Sequence, residues 1–368
     1  MRILHICESI NQGGGIASFV CDLSGEQAKD NDVTVAVINT SAGAAEVKMS
    51  DNVCIHRFDK QRLGFSIKYP VRIYKYIKAG KFDIVHIHSA FLYFALSVIL
   101  LHTRTKFVYT IHSDAKYENS SRWDRYFFWL KKLSFKRGYI KPITISQASK
   151  SAFENLYKVD SHLIYNGIKQ HDKPNNKHIF DKYRKSDDTL IFLHPGRITQ
   201  AKNQVTLCKV FKQLIDKQED VVLIIAGTIQ DQKIYSDITT YFSDRIVYIG
   251  ERSDVIDLLY ESDAMCLCSI WEGLPITLLE AMSVGCIPIC SPVGGIPEVI
   301  NDGGCGLLSQ SYDADDYCDT IQQFIRLNKH DRLRISKNCI KRFDDYNITN
   351  TSRAYVEYYN SLINNTKE

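Results

Sequence analysis

The sequence predicts an α/β protein made of two doubly wound parallel sheets in tandem. Three observations carry this. Short β-rich runs recur with helix-length patterns between them, the alternation breaks once at a polar stretch and resumes, and 368 residues exceed one ordinary core. In the first half the expected strands are Ile3 to Cys7, Val33 to Ile38, Val53 to Phe58, Ile84 to His88, Phe107 to Ile111, Ile143 to Ile145 and Leu163 to Tyr165. Strands alternating with helices run parallel, with helices on both faces. Lys169 to Asp188 is rich in Lys, Asn and Asp and nearly free of apolar residues, which marks a boundary. The alternation then restarts with Leu190 to Leu193, Val221 to Ala226, Ile246 to Ile249, Ala264 to Cys268 and Ile287 to Cys290. The expected division is 1–168, 169–348 and a terminal segment, 349–368, whose helix over Ser352 to Ile363 crosses back to the first domain. Two such domains place a cleft between the carboxyl ends of their strands.

Composition fits a globular chain, with 45% hydrophobic and 24% charged residues. The eleven cysteines are scattered through apolar runs without a Cys-x-x-Cys pair, as expected of small buried hydrophobes in a reducing compartment. Met1 to Cys7 runs straight into polar residues and glycines, so it reads as a first strand and not a signal peptide. The longest apolar run, Phe91 to Leu101, is about half a bilayer span. A cytoplasmic protein is expected. Charge divides unevenly, with a net of +9 over residues 1–168 and −5 over the rest. The first half is the one that would approach an anionic partner; no nucleic-acid partner is expected.

The most informative segment is Ile270 to Met282, in which Glu272 and Glu280 stand eight positions apart with Gly273 and Pro275 between them. In one continuous helix the carboxylates would lie about 12 Å apart along the axis. The Gly and Pro instead put Glu272 in a loop and Glu280 in a helix over Thr277 to Met282, so both can face one pocket. The helix start between them offers unpaired N–H groups and a positive dipole end, which suits a phosphate. Two carboxylates for hydroxyls around a phosphate seat describe a site for a sugar nucleotide.

Arg197 and Lys202, in His194 to Asn203, follow the first strand of the second domain, where ligands bind in this architecture. A planar fork and a point charge together neutralise a diphosphate. Asn11 to Ser18, with Gly13, Gly14 and Gly15, nearly fits a dinucleotide fingerprint, but it starts several residues past the strand, and the second strand ends at Ile38-Asn39 without the acid a ribose needs. Thr110 to Asp114 ends a strand with His112 aimed at the cleft. His86 and His88 read as strand-end structural residues, and Asp313-Ala-Asp315 as a helix cap.

Three motifs together, Gly-Arg-x-x-x-x-Lys-Asn at 196–203, Glu-Gly-Leu-Pro-x-x-x-x-Glu-Ala-Met at 272–282 and Pro-Val-Gly-Gly-Ile-Pro-Glu at 292–298, resemble the retaining GT-B glycosyltransferases of glycosyltransferase family 4. The glycine loop, Thr110 to Asp114, Ile164 to Gly167 and the terminal helix fall in that family's order. The resemblance implies a GT-B fold of two Rossmann-like domains facing each other across a cleft. It implies that Arg197 and Lys202 contact the nucleotide diphosphate, that Glu280 holds the ribose hydroxyls and that Glu272 lies at the donor sugar. The backbone of Gly273, Leu274, Pro275 and Ile276 would face sugar and phosphates, and His112 would lie over the donor sugar. Gly13 to Gly15 would sit near the phosphates and acceptor, and Gly250 to Asp254, with Arg252, would read the base. The expected activity is same-face transfer of a hexosyl group, from a UDP-sugar first and GDP-mannose next, to a glycan or lipid-diphosphate-linked acceptor in surface-polysaccharide synthesis. No cofactor and no metal are expected, since the cations are built in.

Residues 116–141 carry eight basic and two acidic residues. A helix over Arg122 to Arg137 would bury Trp123, Tyr126, Phe127, Leu130 and Leu133, and present Arg122, Arg125, Trp129, Lys132 and Lys136 outward. A tryptophan among cations suits an anionic membrane surface, giving a peripheral location at the inner face of the cell membrane; a solvated basic face is the other reading. Three further readings compete with transfer: a sugar-nucleotide epimerase of the same fold, a nicotinamide-dependent oxidoreductase, which the absent ribose acid opposes, and a catalytically idle sugar-nucleotide-binding or lectin-like module.

Overall fold

The computed structural model describes residues 1–11, 14–39, 48–60, 68–89, 104–113, 128–171, 178–300 and 304–364. The chain forms two compact units, Met1–Lys169 with Ile348–Glu368, and Gln170–Asn347. Each is an all-parallel sheet with helices between the strands.

The first unit orders its strands β3-β2-β1-β4-β5-β6-β7. These are β1 Arg2–Cys7, β2 Asp32–Asn39, β3 Cys54–Lys60, β4 Ile84–Ile87, β5 Lys106–Ile111, β6 Lys141–Thr144 and β7 His162–Leu163. The central strands are buried along nearly their whole length because helices cover both faces, which is why they read as continuous apolar runs. Among the described residues its helices before the last are α1 Gly15–Gln27, α2 Lys68–Gly80, α3 Phe128–Lys136 and α4 Gln147–Tyr157. Ser146 caps α4, its hydroxyl accepting from the Ser149 amide at 3.0 Å.

The second unit orders its strands β10-β9-β8-β11-β12-β13. They are β8 Leu190–Pro195, β9 Val221–Ala226, β10 Ile246–Tyr248, β11 Ala264–Leu267, β12 Ile287–Cys290 and β13 Leu307–Leu308. Its helices are α5 Gln204–Asp216, α6 Gln232–Thr239, α7 Val255–Glu261, α8 Ile276–Ser283, α9 Ile296–Val299, α10 Ala314–Arg326 and α11 Lys329–Phe343. Strand β13 escapes sequence reasoning because two residues carry no periodicity. It is fixed instead by Gly306, where a Cβ would stand 2.8 Å from the Pro288 carbonyl oxygen.

The last helix, α12 Ile348–Asn364, begins four residues before Ser352 and belongs to the first unit. Its first amide donates to the Ile168 carbonyl at 2.8 Å, and Tyr355 and Tyr359 are fully buried. Asp313 takes the N-cap position of α10 but makes no side-chain cap bond.

One expectation for the basic helix is corrected. Leu133, assigned to the buried stripe, is exposed, while Lys131 is buried. One turn separates Trp129 from Leu133, so the two share a face, and α3 turns Leu130, Ser134 and Phe135 inward instead. Residues 114–127, with Lys116, Arg122, Trp123, Arg125, Tyr126 and Phe127, lie outside the described residues.

The face of the first sheet covered by α1 and α12 holds a cluster of histidines. His5 on β1 pairs in register with His86 on β4, and His88 and His112 follow at the ends of β4 and β5. Burial depresses His5 to about 4 and His112 to about 3, and sets His86 and His88 well below the ordinary value of 6.5. The folded rings are therefore neutral where unfolded histidines take up protons. Stability is level above about pH 6.5 and falls toward pH 4, by up to about 1.4 kcal/mol per pH unit for each of the buried rings of His5, His86 and His88. Calorimetry at pH 7.5, 6.0, 5.0 and 4.5 should show the unfolding temperature dropping over this window. A temperature unchanged from pH 7 to 5 would refute the account.

Candidate active site

In the second unit the chain leaves β8 in one direction, through β9 to β10, and then returns to lay β11 on the other side of β8. The loops after β8 and β11 thus splay apart at the carboxyl edge of the sheet, the place where open α/β sheets bind ligands. Arg197 and Lys202 stand on the first of these loops, and Glu272 on the second.

Backbone and side chains join the two loops. The Ile270 amide donates to the Ala201 carbonyl at 2.8 Å. Lys202 Nζ meets Glu272 Oε1 at 2.6 Å, with the two side chains only 15% and 12% exposed. Ser269 Oγ donates to the same oxygen at 2.6 Å. A largely desolvated ion pair holds only when further hydrogen bonds satisfy it, and Ser269 supplies one. Asn203 takes the left-handed conformation (φ 55°) needed to turn from the short Gln200–Lys202 helix into α5.

The loop bearing Arg197 is fixed from beneath. His194, on β8, is buried and depressed to about 4 by burial. A backbone carbonyl only accepts, so His194 Nδ1 donates to Cys266 O at 2.8 Å and its bare Nε2 accepts from Gln204 Nε2 at 3.2 Å. The second Gln204 N–H goes to the Arg197 carbonyl at 2.8 Å. The Arg197 side chain itself is left exposed. Sequence reasoning missed Gln204 and Ser269, because each is an ordinary polar residue until the fold supplies its partner.

Helix α8 begins at Ile276, with Pro275 in the cap position just before it instead of the first turn. Glu280 is its fifth residue and half-buried. Thr277 Oγ1, in the first turn, is buried with no hydrogen-bond partner among the described residues. Gly273, Leu274 and Pro275 are buried, and the third motif explains how that loop is held. Gly294 adopts φ 56°, and a Cβ there would stand 2.2 Å from the Glu272 carbonyl oxygen. The next amide, Gly295 N, donates to the Gly273 carbonyl at 2.6 Å.

Arg252 is engaged by Asp254 through two bonds of 2.8 and 2.5 Å, which hold that carboxyl below the usual range. The remaining expected residues belong to the first unit. Gly14 is the N-cap of α1 and Gly15 its first residue, while Gly13 lies outside the described residues. His112 follows β5, its Nε2 3.1 Å from His88 Nδ1. Among the described residues, one group has metal-ligand spacing: the ring nitrogens of His5, His86 and His88 lie within 4.8 Å of one another.

The contact at Gly294 yields a direct test. Gly294→Ala forces both a left-handed alanine and a backbone collision, and should destabilise the chain by on the order of 2 kcal/mol or more, read as a lower urea midpoint. An unchanged midpoint would mean that the 292–298 loop does not clamp the 272–273 backbone.

The model of Glycosyltransferase Family 4 matches residues 13–171, and that of Glycosyl transferases group 1 matches residues 175–342. The chain is 25% identical to the UDP-Gal:alpha-D-GlcNAc-diphosphoundecaprenol alpha-1,3-galactosyltransferase of Escherichia coli, over 81% of this chain and 80% of that one. Among solved structures it resembles sucrose-phosphate synthase from Thermosynechococcus elongatus, with a TM-score of 0.81 at 17% identity, over 98% and 99% of the two chains. It also resembles HepE of Anabaena, solved in complex with UDP and glucose, with a TM-score of 0.78 at 19% identity, over 98% and 100%. With two parallel-sheet units of GT-B type and both halves matched in order, the chain belongs to glycosyltransferase family 4.

Proposed function

We propose that this glycosyltransferase moves a hexosyl group, with retention and without a metal, from a nucleotide diphosphate sugar to a glycan or lipid-diphosphate-linked acceptor in surface-polysaccharide assembly. A UDP-hexose is the first choice of donor and GDP-mannose the second. The observation that carries this is the Lys202–Glu272 pair, joined across the two loops at the sheet's switch point and backed by Ser269. The names of the relatives support the donor and acceptor classes, one using UDP-Gal and a diphosphoundecaprenol-linked sugar and another solved with UDP and glucose.

Cleavage of the bond between anomeric carbon and phosphate leaves negative charge on the diphosphate and positive charge on the sugar ring. Arg197, Lys202 and the amides at the start of α8 stabilise the first, a preorganised term that is commonly the largest in such catalysis. Glu272 holds Lys202 in place and meets the sugar, Glu280 takes the ribose hydroxyls, and Arg252 stands at the base. Gly13 to Gly15 and His112 serve the phosphates, the acceptor and the transferred sugar. The new bond forms from the acceptor oxygen on the face the phosphate leaves, and a phosphate oxygen takes the acceptor's proton.

Calorimetric binding with a panel of UDP-, GDP- and ADP-sugars tests the reading; a UDP-sugar should bind tightest, and no binding to any would sink it. With the productive donor, Arg197→Ala, Lys202→Ala and Glu280→Ala should each lower kcat/KM at least about tenfold, and EDTA should leave turnover intact. Three variants with native kinetics would remove the assignment.

The described part of the basic segment supports peripheral membrane contact. On α3, Trp129 is 62% exposed beside exposed Leu133 and Lys136, and no described helix is long and apolar enough to cross a bilayer. The chain should float with anionic liposomes, and Trp129→Ala with Lys132→Glu and Lys136→Glu should float less. Equal flotation of both proteins would reject the contact.

A further inference from the structure

The histidines of the first unit form a series of hydrogen bonds that neither the fold nor the transfer chemistry above uses. Gln27 Oε1 lies 2.7 Å from His5 Nε2, His5 Nδ1 lies 2.9 Å from His88 Nε2, and His88 Nδ1 lies 3.1 Å from His112 Nε2. We propose that Gln27, His5 and His88 are positioning residues whose one-directional relay fixes the tautomer of His112 and leaves His112 Nδ1 as a bare acceptor.

The polarity follows from counting protons. A neutral imidazole carries one N–H and one lone pair. The Gln27 carbonyl oxygen only accepts, so His5 holds its proton on Nε2 and offers the lone pair on Nδ1. That lone pair takes the Nε2–H of His88, whose Nδ1 in turn takes the Nε2–H of His112. Burial keeps these rings neutral, which is what the series needs, because a doubly protonated ring would face a neighbouring donor. Gln27, His5 and His88 are at most 2% exposed, so a broken polarity would strand two lone pairs or two protons against each other without water.

The choice is made at one end. Gln27 Nε2 is buried and faces the Tyr359 hydroxyl without completing a hydrogen bond to it, so the amide keeps its donor end on Tyr359 and its oxygen on His5. Turned over, it would donate to His5 and reverse every ring in the series. His86 stands beside the relay with separate partners, Thr110 Oγ1 at 2.7 Å and the Tyr359 hydroxyl at 2.6 Å. These bonds occupy both its nitrogens, so the metal-like spacing of His5, His86 and His88 is accounted for by hydrogen bonding.

The catalytic consequence rests on the reading of His112 as a residue of the transferred sugar. A neutral ring with a bare Nδ1 accepts a sugar hydroxyl and adds no positive charge to a ring that is itself becoming positive. A cationic or reversed His112 would oppose it.

Histidine-selective 15N labelling of the full chain, with long-range 1H–15N spectra at pH 7.5, reads each tautomer directly. Single histidine variants assign the signals. His5, His88 and His112 should all report protons on Nε2 in the native protein, with neither donor nor acceptor present. In Gln27→Leu the His112 signals should move toward a mixture of tautomers, and in Gln27→Glu, which keeps an acceptor at that end, they should not. A native protein with His112 protonated on Nδ1, or with disagreeing tautomers, overturns the relay even where a variant fails to fold. Stoichiometric zinc that shifts all three rings of His5, His86 and His88 would assign the cluster to a metal and overturn it as well. With the productive donor, Gln27→Leu should lower kcat about tenfold with little change in KM, and Gln27→Glu should restore it. Native tautomers without any kinetic effect would keep the relay and reject only its role at the sugar.

Discussion

The second unit depends on two loops of one parallel sheet being held at a fixed separation where the chain reverses its order. Parallel sheets require crossovers, so all their loops emerge at two edges, and only at the switch point do adjacent loops part. Here the gap is tied across by the Ile270 to Ala201 backbone bond and the Lys202–Glu272 pair. A buried pair of this kind contributes little net stability against an apolar replacement, yet losing one partner leaves a desolvated charge. Its value lies in register: it places a cation and a carboxylate at one fixed spot.

The supports around that pair share a pattern. Gln204 spends both its amide protons beneath the Arg197 loop, one on His194 and one on the Arg197 carbonyl. Gly294 lets the 292–298 loop approach the 272–273 backbone more closely than any side chain allows. Each is a device for holding backbone, while the Arg197 side chain above is left exposed. Preorganisation of this sort matters for a reaction whose transition state is mostly separated charge.

The first unit uses a different material for the same purpose. One face of its sheet gathers four histidines where the second unit's strands hold His194 alone, and α1 and α12 seal them with Phe19, Tyr355 and Tyr359. The cost is sensitivity to acid, because neutral buried imidazoles lose to protonated ones in the unfolded chain. The return of α12 to this unit also ties that helix to β4 and β5, through Tyr359 to His86 and Tyr355 to Thr110.

By itself the sequence determined most of the architecture. The apolar runs gave strands because burial on both faces leaves no room for alternation, and the Gly and Pro between Glu272 and Glu280 divided loop from helix. The motif spacing proposed Arg197, Lys202, Glu272 and Glu280 as one constellation, of which the structure joins Lys202 and Glu272 directly, since glycine, proline and charge have position-specific uses that survive in one dimension. What only the tertiary structure decided were partnerships between residues far apart in the chain. Lys202 and Glu272 became an ion pair, Gln204 became a loop support, Leu133 moved to the surface, and His5, His88 and His112 became a hydrogen-bonded series with His86 beside it. Each depends on which strands lie side by side and at what register, and that is set by long-range packing that no local pattern encodes.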